Sequence, residues 1–155
     1  KRQLDRLVAE GGHDEPESLL DALYKVATMG QTDKDAQTED PYKWRYRSAA
    51  ARVVIVFTDA TYKEQMHLPE AKGGGFDDVV NVITANRILL SIFAPDMECY
   101  DRLSAIDKSE YEAIPIEGVG PQRALADFTS DTRNFQNALK QLAASVSKSA
   151  ATEAL

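Results

Sequence analysis

The sequence predicts an α/β fold in which parallel strands are flanked by helices, and three observations carry that expectation. Val53, Val54, Ile55, Val56 and Phe57 form an unbroken, mostly β-branched apolar run that ends in Thr58-Asp59-Ala60. A run without polar alternation is the pattern of a parallel strand covered on both faces. A second run, Ile88-Leu89-Leu90-Ser91-Ile92-Phe93-Ala94, closes on Pro95-Asp96. Between the two, Val79, Val80, Val82 and Ile83 mark an amphipathic helix. Strand, helix, strand in this order is a βαβ unit, which implies parallel strands and a right-handed crossover.

With 155 residues, the chain is long enough for one domain with a real core and too short for two. We expect that domain over residues 1–148, with 149–155 as a frayed tail. Twenty-five acidic against 18 basic residues give a formal charge of −7, which argues against nucleic acid or an anionic membrane surface as partner. Cys99 is the only cysteine, so no internal disulfide forms, and with two distant histidines it makes no zinc cluster. A lone thiol fits a reducing compartment. No stretch approaches the length and apolarity of a membrane span. The chain starts at Lys1 and reads as a piece of something longer.

Taken in order, Leu4, Leu7 and Val8 stand at helical spacing, and Gly11-Gly12 stops that helix. Leu19, Leu20, Leu23, Val26 and Ala27 then form an apolar stripe over residues 18–29. Pro16 fits the first turn of this helix, and Asp14 with Glu17 has the spacing of a capping box with Asp14 as the cap. Residues 30–43 offer almost nothing to a core and predict a solvated loop. Trp44 and Tyr46 return bulk that can pack over the end of the sheet. Residues 61–75 read as irregular, with Gly73-Gly74-Gly75 as a flexible connection, since no Lys-Ser/Thr follows it as a phosphate loop requires. Asp77-Asp78 can cap the helix between the strands. A short helix over 97–106 turns Tyr100, Leu103 and Ile106 inward. A third short strand over 111–116 belongs at an edge, because Pro115 cannot donate to a ladder. Gly118-Val119-Gly120-Pro121 is a turn. Leu125 and Phe128 lead into a last helix whose Phe135, Ala138, Leu139, Leu142, Ala143 and Val146 repeat at helical spacing and cover one sheet face.

An all-apolar strand at 53–57 makes a hazardous sheet edge, so a further strand is expected against it. In open α/β sheets, ligands bind at the carboxyl ends of the strands. Asp59 stands there, as a ligand-directed carboxylate or simply as the start of a turn.

Two motifs resemble the von Willebrand factor A family. Gly11-Gly12-His13-Asp14-Glu15-Pro16-Glu17, followed by a helix carrying Leu20-Asp21-Ala22-Leu23, is similar to the G-x-x-D-x-P-E segment of integrin β subunits and many bacterial members. The strand 53–57 with Thr58-Asp59-Ala60 is similar to the family's strand ending T-D-A or T-D-G. The resemblance covers the C-terminal two-thirds of such a domain. It implies a Rossmann-like three-layer α/β fold whose first strands are absent from this chain, or are supplied by another. It further implies a non-enzymatic, protein-binding role at a metal-ion-dependent adhesion site. There Mg²⁺, or Mn²⁺ or Ca²⁺, would be held by Asp59 and Glu17, with Asp14 at a neighbouring cation position, and would capture an acidic side chain of a protein partner. Mg²⁺ takes oxygen ligands in an octahedron and keeps several waters, which leaves room for such a carboxylate. The family's main metal motif, D-x-S-x-S, is not in this sequence, so the expected metal binding is weak. A metal-independent scaffold module is the alternative. An α/β phosphohydrolase or phosphoacceptor using Asp59 is disfavoured, because no second strand-end carboxylate or placed lysine supports it. His13 and His67 read as loop residues, and Cys99 as a half-buried small residue.

Overall fold

A computed structural model describes residues 16–48 and 50–153. Strands β1 (Arg52–Phe57), β2 (Ile88–Pro95) and β3 (Ser109–Ile114) form a parallel sheet in the order β1-β2-β3. Arg52 stands opposite Ile88 and Phe57 opposite Phe93, while Leu90 faces Ser109 and Pro95 faces Ile114. Helices α1 (Leu19–Ala27), α2 (Phe76–Ala85), α3 (Glu98–Ser104), α4 (Pro121–Ser130) and α5 (Thr132–Glu153) complete the described chain. The molecule is therefore α/β, with a three-stranded parallel sheet flanked by helices.

Because strand side chains alternate, each strand contributes to two faces. On one face Val56, Leu90, Ile92 and Ala94 meet Leu20 and Leu23 of α1, Val79 and Ile83 of α2, and Tyr100 and Leu103 of α3 in a single buried cluster. The inward positions expected of 97–106 are all buried there. On the opposite face Phe57 stacks on Phe93 at 4.8 Å, Phe93 lies 6.0 Å from Phe128 of α4, and Phe57 lies 5.6 Å from Phe135 of α5. This second cover is thinner. Leu142 is buried and Ser145 donates to Glu110 at 2.6 Å, yet Leu139 stays 37% exposed.

Several expectations change in detail. The strand at 53–57 is not covered on both faces: Ile55 is 41% exposed and Phe57 38%. Among the described residues no strand lies on its outer side. The N-cap of α1 is Ser18, so Pro16 and Glu17 precede the helix, and Glu17 pairs in a parallel bridge with Tyr62 instead of sitting in a capping box. Asp14, the expected cap, and His13 lie outside the described residues, as does the helix expected over the first residues. Leu125 and Phe128 belong to a separate helix, α4, because Pro121 and Gly120 start it and Asp131 interrupts it. Helix α5 runs to Glu153, past residue 148, where a frayed tail was expected.

The glycine triplet is a built turn, not a loose connection. Gly73 adopts φ +73°, and Gly75 caps α2 with its N–H donated back to the Asp78 carboxylate at 2.9 Å. A Cβ on Gly74 would fall 2.6 Å from that carboxylate and 3.0 Å from the Ala71 carbonyl. Lys72, Arg87 and Lys108 also hold positive φ, the first two just after a helical segment where glycine is usual and Lys108 in the turn that enters β3. A basic residue suits the negative end of a helix, but the left-handed backbone costs a non-glycine residue roughly 1–3 kcal/mol.

We predict that Gly74→Ala lowers stability by about 1–3 kcal/mol through this overpacking, read as a shift in the urea midpoint at constant slope. An unchanged midpoint would mean that Asp78 swings away freely and that the turn is not close-packed.

Candidate functional site

The carboxyl end of the sheet is assembled by one strand end and one helix. Pairing continues a residue past β1, since Thr58 N–H donates to the Phe93 carbonyl at 3.2 Å. The chain then turns through Thr58-Asp59-Ala60 into Tyr62. Ala60 and Tyr62 are buried at 4% exposure each. The Tyr100 hydroxyl of α3 donates to the Ala60 carbonyl and lies 3.5 Å from Thr58 Oγ1. Tyr62 in turn donates to the Cys99 carbonyl at 2.7 Å, and its ring meets Tyr100 edge-on at 5.9 Å. Tyr111 of β3 completes the group, with its hydroxyl bonded to the Pro95 carbonyl at 2.5 Å and to Met97 N–H at 3.2 Å. Loop, helix and third strand are thus tied through phenols.

Glu17 reaches the same place by backbone. Its N–H donates to the Thr61 carbonyl at 2.7 Å, and its carbonyl accepts from Lys63 N–H at 2.8 Å. Thr61 is two residues from Asp59, a chain distance of at most about 7 Å, so the segments bearing Glu17 and Asp59 are neighbours. Both side chains are half-buried. Neither carboxylate makes a hydrogen bond or ion pair with the described residues. Asp14 lies outside them. Asp96, exposed just after β2 with its N–H on the Ile114 carbonyl at 3.0 Å, is a second strand-end carboxylate, where none was expected.

Other acidic and nucleophilic groups are committed to structure. Asp21 accepts from the backbone N–H of His67 at 2.8 Å and of Leu68 at 2.9 Å, which shapes that loop. Glu64 pairs with Arg102, whose guanidinium also lies 4.2 Å over the Phe76 ring. Burial pushes the Cys99 thiol up, so it is not an activated nucleophile.

Burial pushes Tyr62 and Tyr100 each up to about 12, and Tyr111 upward as well. For a metal ion, Asp59 and Glu17 are oxygen donors of the right kind. However, among the described residues no cluster of three or more His, Cys, Asp or Glu could hold one. The described donor set does not fit a complete site.

Comparisons of the chain with protein-family models, with curated proteins and with solved structures return no match. Among the described residues no helix is long and apolar enough to cross a membrane.

Two outcomes follow from the phenol cluster. Tyr100→Phe strips the Ala60 carbonyl of its donor, and a loss of about 1–3 kcal/mol is expected in urea unfolding. A change under about 0.5 kcal/mol would assign the loop's position to ring packing alone. Separately, the raised folded values of Tyr62 and Tyr100 mean that the unfolded chain loses these protons first, near the ordinary value of 10. Stability is therefore unaffected by these groups below that pH and falls as pH climbs from about 10 towards about 12. Alkaline denaturation of the Tyr62→Phe/Tyr100→Phe double variant should show a shallower slope than the parent.

Proposed function

We propose that the chain is a protein-binding module of the von Willebrand factor A type, acting by recognition and not by catalysis, with its partner engaged at the carboxyl end of the sheet around Asp59. The observation that carries this reading is the Glu17–Tyr62 bridge. It sets the segment bearing Glu17 beside the one that follows Asp59, and both carboxylates are half-buried without protein partners among the described residues. Half-buried carboxylates without partners pay desolvation with no return inside the domain, and an external cation or donor relieves that.

Mg²⁺ or Mn²⁺ belongs to the same proposal. Asp59 and Glu17 would be its protein donors, and an acidic side chain of the partner would complete the contact. Mg²⁺ prefers six oxygens, so two carboxylates leave most positions to water and give weak affinity. Binding that does not depend on metal is the second reading, and a specific observation favours it. The outer edge of β1 is unpaired among the described residues, with Ile55 and Phe57 partly exposed beside it. An apolar, uncharged edge is a template for strand addition, so a further strand from the rest of a longer polypeptide or from another chain would complete the sheet.

Titration of MnCl₂ should show weak binding that Asp59→Ala abolishes while the fold is retained. Selection from a peptide library rich in Asp and Glu should return binders lost in the same variant and in EDTA. Binders indifferent to both treatments would remove the metal-dependent reading and leave the scaffold. For the edge, Ile55→Lys should suppress self-association seen by sedimentation at high concentration. Unaltered association would mean that β1 is not the adhesive edge.

A further inference from the structure

At the opposite end of the sheet, where the strands begin, basic side chains collect although the chain as a whole carries −7. Arg52, the first residue of β1, is only 7% exposed and has no carboxylate partner among the described residues. Its guanidinium donates to neutral amide oxygens, Gln31 Oε1 at 2.8 Å and Asn86 Oδ1 at 3.3 Å, while Nε is buried without a partner. Arg47 stands near it and donates to the Ala85 carbonyl at the end of α2 at 3.0 Å. Arg87 follows Asn86 directly, and the next residue, Ile88, is the register partner of Arg52. Lys108 lies across β2, its carbonyl accepting from Leu90 N–H at 3.3 Å.

Arg87 and Lys108 line one cavity of about 420 Å³ together with Thr84, Asp107 and the buried Ile83 and Ile88. Both hold left-handed backbone, with φ of 49° and 63°. Glycine would adopt that conformation without strain. The helix dipole accounts for Arg87 after α2, as it does for Lys72 after its short helical turn, but not for Lys108 in the turn before β3. It does not account for two strained basic residues meeting over the same cavity. Strain concentrated on cavity-lining residues is a mark of a ligand site.

We propose that this amino-end cavity binds a phosphate-bearing small molecule. The Arg87 fork and the Lys108 ammonium take the phosphate oxygens, the Thr84 hydroxyl adds a donor, and Arg52 behind Asn86 supplies fixed positive potential. The volume exceeds that of a lone phosphate and lies within the range of small-molecule sites, so an organic body has room beside Ile83 and Ile88. A doubly charged phosphate overcomes Asp107, the carboxylate in the cavity lining, better than a carboxylate ligand does. The site is independent of the partner surface proposed around Asp59, because it lies at the other end of the strands.

The experiment titrates phenyl phosphate, with inorganic phosphate and benzoate at matched ionic strength, and follows melting temperature and the backbone amide resonances of Arg87 and Lys108. Phenyl phosphate should bind saturably and shift those resonances, with inorganic phosphate weaker and benzoate weaker still. Arg87→Gly and Lys108→Gly should each weaken it about tenfold or more, the scale of a lost charge-assisted hydrogen bond, while the ligand-free Arg87→Gly protein melts no lower than the parent. Asp107→Asn should tighten binding. If either glycine variant fails to fold, Arg87→Asn and Lys108→Asn, which tolerate the same backbone, take its place. Binding unchanged in the double variant, or a response to phenyl phosphate no greater than to chloride at the same ionic strength, would overturn the proposal. Benzoate binding as tightly as phenyl phosphate would reassign the site to carboxylates.

Discussion

A parallel sheet has no face to give to water, and the rest of this structure follows from that constraint. Strand residues call for cover by a helix, a loop or another strand, and Ile55, Phe57 and part of β3 go without it. On one side the requirement is met by α1, α2 and α3, whose apolar stripes close over Val56, Leu90 and Ile92. On the other it is met by a ladder of phenylalanines, Phe57, Phe93, Phe128 and Phe135, with Leu142 further along α5. The cover is unequal, and the inequality falls on β1. Among the described residues it is an edge strand with an interior strand's composition.

The same constraint makes the strand ends important. Where the faces are covered, polar groups gather at the two ends, where loops emerge. At the carboxyl end, phenols do the positioning: Tyr100 holds the Ala60 carbonyl, Tyr62 holds that of Cys99, and Tyr111 holds that of Pro95. Each buries an aromatic ring and spends its one hydroxyl on a backbone group that burial would otherwise leave unpaired. Asp59 thereby leaves a fixed loop and not a wandering one. At the amino end, cations gather around helix termini and a buried guanidinium. The two ends thus differ in the groups they present, Asp59 and Asp96 at one and Arg52, Arg87 and Lys108 at the other.

Segregation of this kind also explains what net charge conceals. A formal −7 argues against a polyanionic partner for the whole surface, since long-range steering follows the summed field. It does not describe a cavity at short range, where Arg87 and Lys108 dominate and screening lengths of about 8 Å at physiological salt limit the reach of distant carboxylates.

Sequence by itself determined the class of fold, the first two strands, the helix between them and the inward residues of α3, because hydrophobic period reports directly on which residues need burial. It also determined that Asp59 leaves the end of a strand. What only the tertiary structure decided were contacts between residues far apart in the chain. Glu17 looked like a capping residue because local spacing is all that a sequence displays; its backbone pairs instead with Tyr62, a long-range bridge. The glycine triplet is a local exception: it looked loose although the Gly75 N–H donates to the Asp78 side chain only three residues on. The hydrogen bonds of the tyrosines carried no spacing signal, since their acceptors are carbonyls, which every residue possesses. The cluster of Arg52, Arg87 and Lys108 was hidden for a related reason. Parallel strands joined by helices bring every strand start to one end of the sheet, so residues dozens of positions apart become neighbours only once the strands align.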